Sequence, residues 1–232
     1  IDTPANWQSG SSPAFDLNTS LVFGQVAVPA NRTEVDLNGN RTLNALTFQD
    51  YSSPTGQPFA LKDNTLEFVE SGGSLAPTII MSASEDQVLD CNLQATNQVT
   101  LTGTGTGILT LSDNIDEGGA SNLGYIKDGA FTLYVDGGNG NNEWGDFVIK
   151  DGVVVFNNEN SLGGHSDIDG RVVSLQGGSL LADGNRDFRP SISIDGDFTF
   201  DANGTYNGEI ETERDIGLTT DEIVDIYKVN PG

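Results

Sequence analysis

Segment after segment of this chain alternates apolar and polar residues over four to eight positions and then breaks at a glycine, asparagine or aspartate. The pattern runs through SLVFGQVAV, TLNALTF, NTLEFVE, PTIIMSA, QVTLTG, GILTLSD, AFTLYVD, DFVIKDG, VVVFNN, SISIDG and DFTFDA. A period of two puts every second side chain on one face of an extended strand, so each segment predicts a short strand with one buried face. The punctuating Gly-Asn, Asp-Gly and Gly-Gly steps accept positive φ at little cost and predict tight turns. A chain built this way is all-β.

The strands also recur along the chain. Asp-Gly followed by a strand begins at Asp128, Asp151, Asp169 and Asp195, at spacings of 23, 18 and 26 residues. Spacing near that of one coil is the signature of a solenoid in which each repeat adds a rung. The third residue after each of these Asp is apolar (Phe131, Val154, Val172, Phe198), and the fifth is apolar in three (Leu133, Phe156, Phe200) with Ser174 the exception. These positions are expected to stack inward, rung on rung. The fold expected is a right-handed parallel β-helix or β-solenoid. A β-sandwich is the alternative, weakened by the rarity of two-residue hairpin connections. At ~4.8 Å per rung the chain makes roughly ten rungs and a rod about 45–50 Å long.

Nothing resembles a linker, so residues 1–232 are expected to form a single domain, with 209–232 as a capping or intersubunit tail. In that tail Thr219-Thr220-Asp221-Glu222 has the form of a helix capping box. The run Ile223, Val224, Ile226, Tyr227 and Val229 is rich in β-branched residues and favours a strand, expected to pair with the edge of a neighbouring subunit in a homo-oligomer.

Charge narrows the partners. Ten Lys and Arg against 34 Asp and Glu leave a formal net charge of -24, a field that repels phosphate backbones and anionic lipid, so nucleic acid is excluded as an expected partner. No run of eighteen apolar residues is present, hence no membrane-spanning helix. The opening IDTPANW has neither the basic nor the apolar region of a signal peptide and reads as the start of a processed, secreted chain. Cys91, the one cysteine, sits at an apolar parity of VLDCNL as a small core residue and leaves no intrachain disulfide.

Chemistry is sparse. A zinc site needs several His or Cys ligands, and His165 and Cys91 are the only ones. His165 lies in the turn LGGHSD, where a loop histidine is the ordinary explanation. Polysaccharide-degrading β-helices work with carboxylate clusters and a basic residue, for which Arg186, Asp187 and Arg189, Asp167 with Asp169, or Asp195 with Asp197 are the available pieces. Asp-Gly turns generate such pairs throughout the chain, so no catalytic residue is assigned and no enzyme is expected. Two oxygen-rich turns, DGGNGNNEWGD at 136–146 and DANGTYN at 201–207, offer Asp136, Asn139, Asp146, Asp201 and Asn203 as candidate calcium ligands, although neither matches an EF-hand loop or a nonapeptide array. No other cofactor is indicated. Trp144, in a polar turn, is the best candidate for stacking on a sugar ring, whereas Trp7 and Tyr134 suit core or cap positions.

Several of these segments resemble the autotransporter-associated β-strand repeat, also called the passenger-associated transport repeat. GTGILTLSDN at 105–114 is similar to its Gly-x-Gly turn, Leu-Thr-Leu-Ser strand and Asn-rich bend. VIKDGVVVFNNENSLGG at 148–164 and VSLQGGSLLADGNRDF at 173–188 resemble its later rungs, and NWQSGSSPAFDLNTSLVFG at 6–24 with LNGNRTLNALTF at 37–48 its opening. The resemblance implies a right-handed β-helix on a bacterial cell surface or secreted from it, and no reaction. The function expected is therefore that of an extracellular structural surface protein, a rod that self-associates into a filament or coat. The alternatives are an adhesin or glycan-binding passenger module contacting a polysaccharide or host surface, and then a β-helix polysaccharide-degrading enzyme.

Overall fold

The computed structural model describes residues 13–24, 34–50, 58–116, 124–136, 145–163, 172–200, 206, 208–212, 216–218 and 226–228. Among them there is no helix, and every strand pairing is parallel. A sandwich of hairpins is thereby ruled out, and the chain is a β-solenoid.

The strands, numbered along the chain, form three ladders, one on each side of the coil. Ladder I stacks β1 (Ser20–Phe23), β4 (Ala45–Phe48), β6 (Thr78–Met81), β8 (Val99–Gly103), the first halves of β11 (Tyr125–Val135) and β12 (Phe147–Phe156), β13 (Val172–Leu175), β16 (Ser191–Ile194) and β19 (Ile216–Leu218). Ladder II stacks β2 (Glu34–Asp36), the first halves of β5 (Phe59–Phe68) and β7 (Gln87–Ala95), β9 (Ile108–Leu111), the second halves of β11 and β12, β14 (Ser179–Ala182), β17 (Phe198–Phe200) and β20 (Ile226–Lys228). Ladder III is shorter. It holds β3 (Arg41–Leu43), the second halves of β5 and β7, and β10 (Ile115–Asp116), and resumes with β15 (Arg186–Phe188) under β18 (Ile210–Thr212).

Alternation sets the core. In ladder I the inward column reads Leu21, Leu46, Ile79, Leu101, Lys127, Ile149, Leu175 and Ile194, one residue per rung, each at most 2% exposed. A second inward column, Val99, Tyr125, Phe147, Val173 and Ile192, runs beside it. Ladder II contributes Leu61, Leu89, Leu111, Val135, Phe156 and Ala182. Burial of each such aliphatic side chain favours the fold by roughly 1.5–3 kcal/mol, and stacking like on like keeps the coil at one diameter.

Where the chain turns from ladder I to ladder II, a column of glycines, Gly103, Gly129, Gly152 and Gly178, lies coil over coil. A Cβ on Gly152 would fall 2.2 Å from the Gly129 carbonyl oxygen, and one on Gly178 2.5 Å from that of Gly152. Gly152 also has φ 73°, in the left-handed region. This close approach explains why glycine punctuates the sequence here.

The Asp-Gly register holds between Asp128 and Asp151, while Asp169 lies outside the described residues. Asp128 does face Asp151, but β11 then shifts register before Thr132, so Leu133, not Phe131, stands over Val154. Phe131, Val154 and Phe198 are all buried, and Val154 stands between Leu133 and Leu180. Val172 is a correction: it is half-buried beside Ser191 on the outer face, and Val173 points inward. The strand parity there is set by the pairing of β13 on Phe147 and Ile149, one residue out of step with a count from Asp169.

Candidate functional site

The two ends of the rod differ from its flanks. Ile216 continues the inward column above Val173 and Ile192, where its predecessors are at most 2% exposed, yet it is itself 52% exposed. The reason is positional. Among the described residues it belongs to the last rung of ladder I, and no described strand pairs above it. Beside it β20 forms the last rung of ladder II, placing Ile226, Tyr227 and Lys228 opposite Phe198, Thr199 and Phe200. Among the described residues β19 and β20 each pair on one side only, as do β1, β2 and β3 at the other end. Each such edge has its backbone in parallel register.

The N-terminal end is partly closed. The turn before β1 brings Phe15 under the Arg41 guanidinium, 4.8 Å from the ring centroid, while Arg41 Nε donates to the Leu37 carbonyl at 3.0 Å. Phe23 packs against Phe48 and Phe59 at the first corner. Leu17 and Val22 remain 42% and 50% exposed at this end. Of the residues predicted for assembly, Ile226 and Tyr227 lie in β20, whereas Ile223, Val224 and Val229, like the capping-box segment, fall outside the described residues.

The acidic residues serve largely as staples between coils. Asp50 accepts from the Ser84 backbone N–H at 2.6 Å and from its hydroxyl at 2.9 Å, and these two bonds hold its carboxyl below the usual range. Asp86 takes the Ile108 N–H at 2.8 Å, and Lys62 lies between Glu34 on the coil before and Asp90 on the coil after, raised in pKa chiefly by its bond to Glu34. The candidate calcium ligands divide similarly. Asp136 accepts from Asn157 Nδ2, and Asp146 from the Val172 N–H at 3.2 Å, both on the next coil. Asn139, Asp201, Asn203 and Trp144 lie outside the described residues, among which no group of three or more His, Cys, Asp or Glu is gathered.

The remaining candidates are likewise engaged in the fold. Arg189 pairs with Glu159 at 2.8 Å and with Asn160 at 3.0 Å, holding the turn at 157–163 whose Leu162 enters the core in place of a ladder III strand. Asp195 accepts from the Ser174 hydroxyl at 2.5 Å. Arg186 and Asp187 are in β15, opposite Ile210 and Glu211, and His165, Asp167 and Asp169 are outside the described residues. Burial pushes the Cys91 thiol up to about 12 and the Tyr125 hydroxyl well above its ordinary range. Tyr134, on the outer face of ladder II, donates to Asp183 at 2.6 Å and lies 5.9 Å from the Tyr206 ring.

One buried group escaped the sequence reading. Lys127 occupies a position in the Leu and Ile column between Leu101 and Ile149, fully buried. Its Nζ donates to the carbonyls of Gly129 at 2.5 Å and Asp151 at 3.0 Å and sits 3.9 Å from the Phe131 ring centroid. Those carbonyls belong to the glycine corner, where the register shift of β11 takes backbone groups out of the ladder. The signal was the parity of YIKDGAF, in which Lys127 falls in phase with Tyr125 and Phe131.

No protein-family model, curated protein or solved structure matches the chain.

Proposed function

We propose that this protein is an extracellular structural component, a β-solenoid rod that stacks end to end into a filament or surface coat. The observation that carries the reading is Ile216, in line with an inward column yet 52% exposed, beside two parallel edges that pair on one side only among the described residues. A single exposed isoleucine means little on an ordinary surface, but this one belongs to an apolar column that a further rung would cover. The opposite end offers β1, β2 and β3 as parallel edges of the same polarity, so one copy's last rung suits another's first. Such a head-to-tail contact is heterologous and propagates without closing. The acid staples leave no convergent site among the described residues, which favours a structural role over the catalytic alternative.

Concentration-dependent mass, followed by light scattering on gel filtration at physiological salt, tests the reading with the wild-type chain and Ile216→Asp. Mass growing with concentration in the wild type and a monomer with unchanged circular dichroism in the variant are expected. A wild-type chain that stays monomeric at every concentration, or a variant that assembles equally well, overturns it. Because each copy carries a charge of -24, assembly should strengthen as salt rises from low ionic strength.

A further inference from the structure

The outer faces of the three ladders differ in charge, and the difference points to a second contact. On ladder I the outward row Ser20, Ala45, Thr78, Thr100, Ile126, Val148, Ser174, Ser193 and Gly217 runs through all nine rungs without one charged side chain. The parallel outward row reads Val22, Thr47, Ile80 and Thr102 before its first charge at Asp128, which faces Asp151. In the same N-terminal coils ladder II turns Glu34, Asp36, Lys62 and Asp90 outward, and ladder III turns out Glu67 and Asp116. On a chain of net charge -24, the first four rungs of ladder I are the described face that a second copy can approach without meeting carboxylates.

We propose that these four rungs form a lateral interface between copies of this chain, face against face, so that end-to-end rods lie side by side. The proposal rests on the end-to-end reading, because the patch is small. Four rungs at ~4.8 Å and two outward positions ~6.8 Å apart give a footprint of roughly 250 Å² per copy, against ~800 Å² per partner in a stable complex. Two free chains are therefore not held by it. Copies already aligned along a filament present it repeatedly, and the contacts then add with little further loss of freedom. The side chains suit the purpose: small and β-branched residues on a pleated face interdigitate with their like, as in packed sheets, and none has a charge to desolvate. The contact is self-complementary, as a two-fold interface requires.

The test is electron microscopy of negatively stained wild-type chain, the double variant Thr78→Glu/Thr100→Glu, and Val88→Glu, which places one such charge on the outer face of ladder II. Wild-type and Val88→Glu filaments are expected to lie in pairs or sheets, while the double variant gives single filaments of unchanged length and circular dichroism. A double variant that still bundles, a Val88→Glu variant that separates equally, or wild-type filaments lying singly overturns the lateral contact and leaves the end-to-end reading standing. A wild-type chain that forms no filaments overturns both. Should the double variant lose its β signal, Thr100→Gln with Thr78→Lys repeats the test with the opposite charge, and bundling as in the wild type would again count against the interface.

Discussion

Replacing Lys127 by methionine separates the cost of a buried charge from the benefit of the hydrogen bonds it makes. Burial holds the Lys127 ammonium down at about 8 from an ordinary 10.5, with Asp151 and Asp128 opposing the shift. The unfolded chain keeps its proton up to the ordinary value and the folded chain releases it from about 8. Because the folded pKa is the lower one, the folded state is penalised at pH 7, and the penalty fades as pH climbs from 8 towards 10.5. The gap amounts to about 3 kcal/mol at pH 7, of which about 1 kcal/mol is relieved by pH 9. Methionine removes the penalty but leaves the Gly129 and Asp151 carbonyls without their donor, a loss of about 1–3 kcal/mol, so at pH 7 the two terms nearly cancel. The informative quantity is the slope. Urea midpoints read by circular dichroism at pH 7, 8 and 9 should show the wild type gaining about 1 kcal/mol on Lys127→Met over that range. Cys91, whose raised pKa erodes stability above its ordinary 9.0, is common to both chains and drops out of the difference. Parallel pH profiles, or divergence in the other sense, would refute the reasoning.

Two further outcomes follow from the packing. Gly152→Ala places a Cβ 2.2 Å from the Gly129 oxygen and 2.6 Å from Lys127 Nζ at φ 73°, and should cost on the order of 2–4 kcal/mol in urea unfolding. Gly39→Ala, with φ 112° and open space around it, should cost only on the order of 1 kcal/mol; equal losses would mean that the glycine column does not govern the corner. The Cys91 thiol, 1% exposed and raised to about 12, should resist a disulfide reagent at pH 8 in the native chain and react at once in urea, whereas free-thiol reactivity without denaturant would contradict its place in the core.

Much of the fold was legible because alternation is a local property: each apolar-polar segment names a strand and its buried face without reference to its neighbours. Register was not, because it depends on how many residues each coil inserts. The step between paired residues on ladder I runs from Ala45 to Thr78 in one coil and only from Ser174 to Ser193 in another. Bends such as Asp63 and Asn64, both at positive φ, set two residues of β5 against the single Cys91. The Asp-Gly count therefore found Asp128 opposite Asp151 and missed the parity of Val172. Lys127 went unnoticed because charge argues for a solvated face, and only the pairing of Leu101 with Ile149 across it reveals a core position. This end was illegible for a related reason. Ile216 is an ordinary isoleucine until the ladder beneath it is known and its 52% exposure is set against the buried Val173 and Ile192.

In the proposed filament the rungs continue from one copy to the next along the rod axis. X-ray diffraction from aligned filaments of the wild-type chain measures this directly. Stacking end to end predicts a reflection at ~4.8 Å on the meridian, parallel to the filament axis, because the rung spacing is the same within and between copies. A ~4.8 Å reflection lying on the equator would place the rods across the filament and contradict the claim.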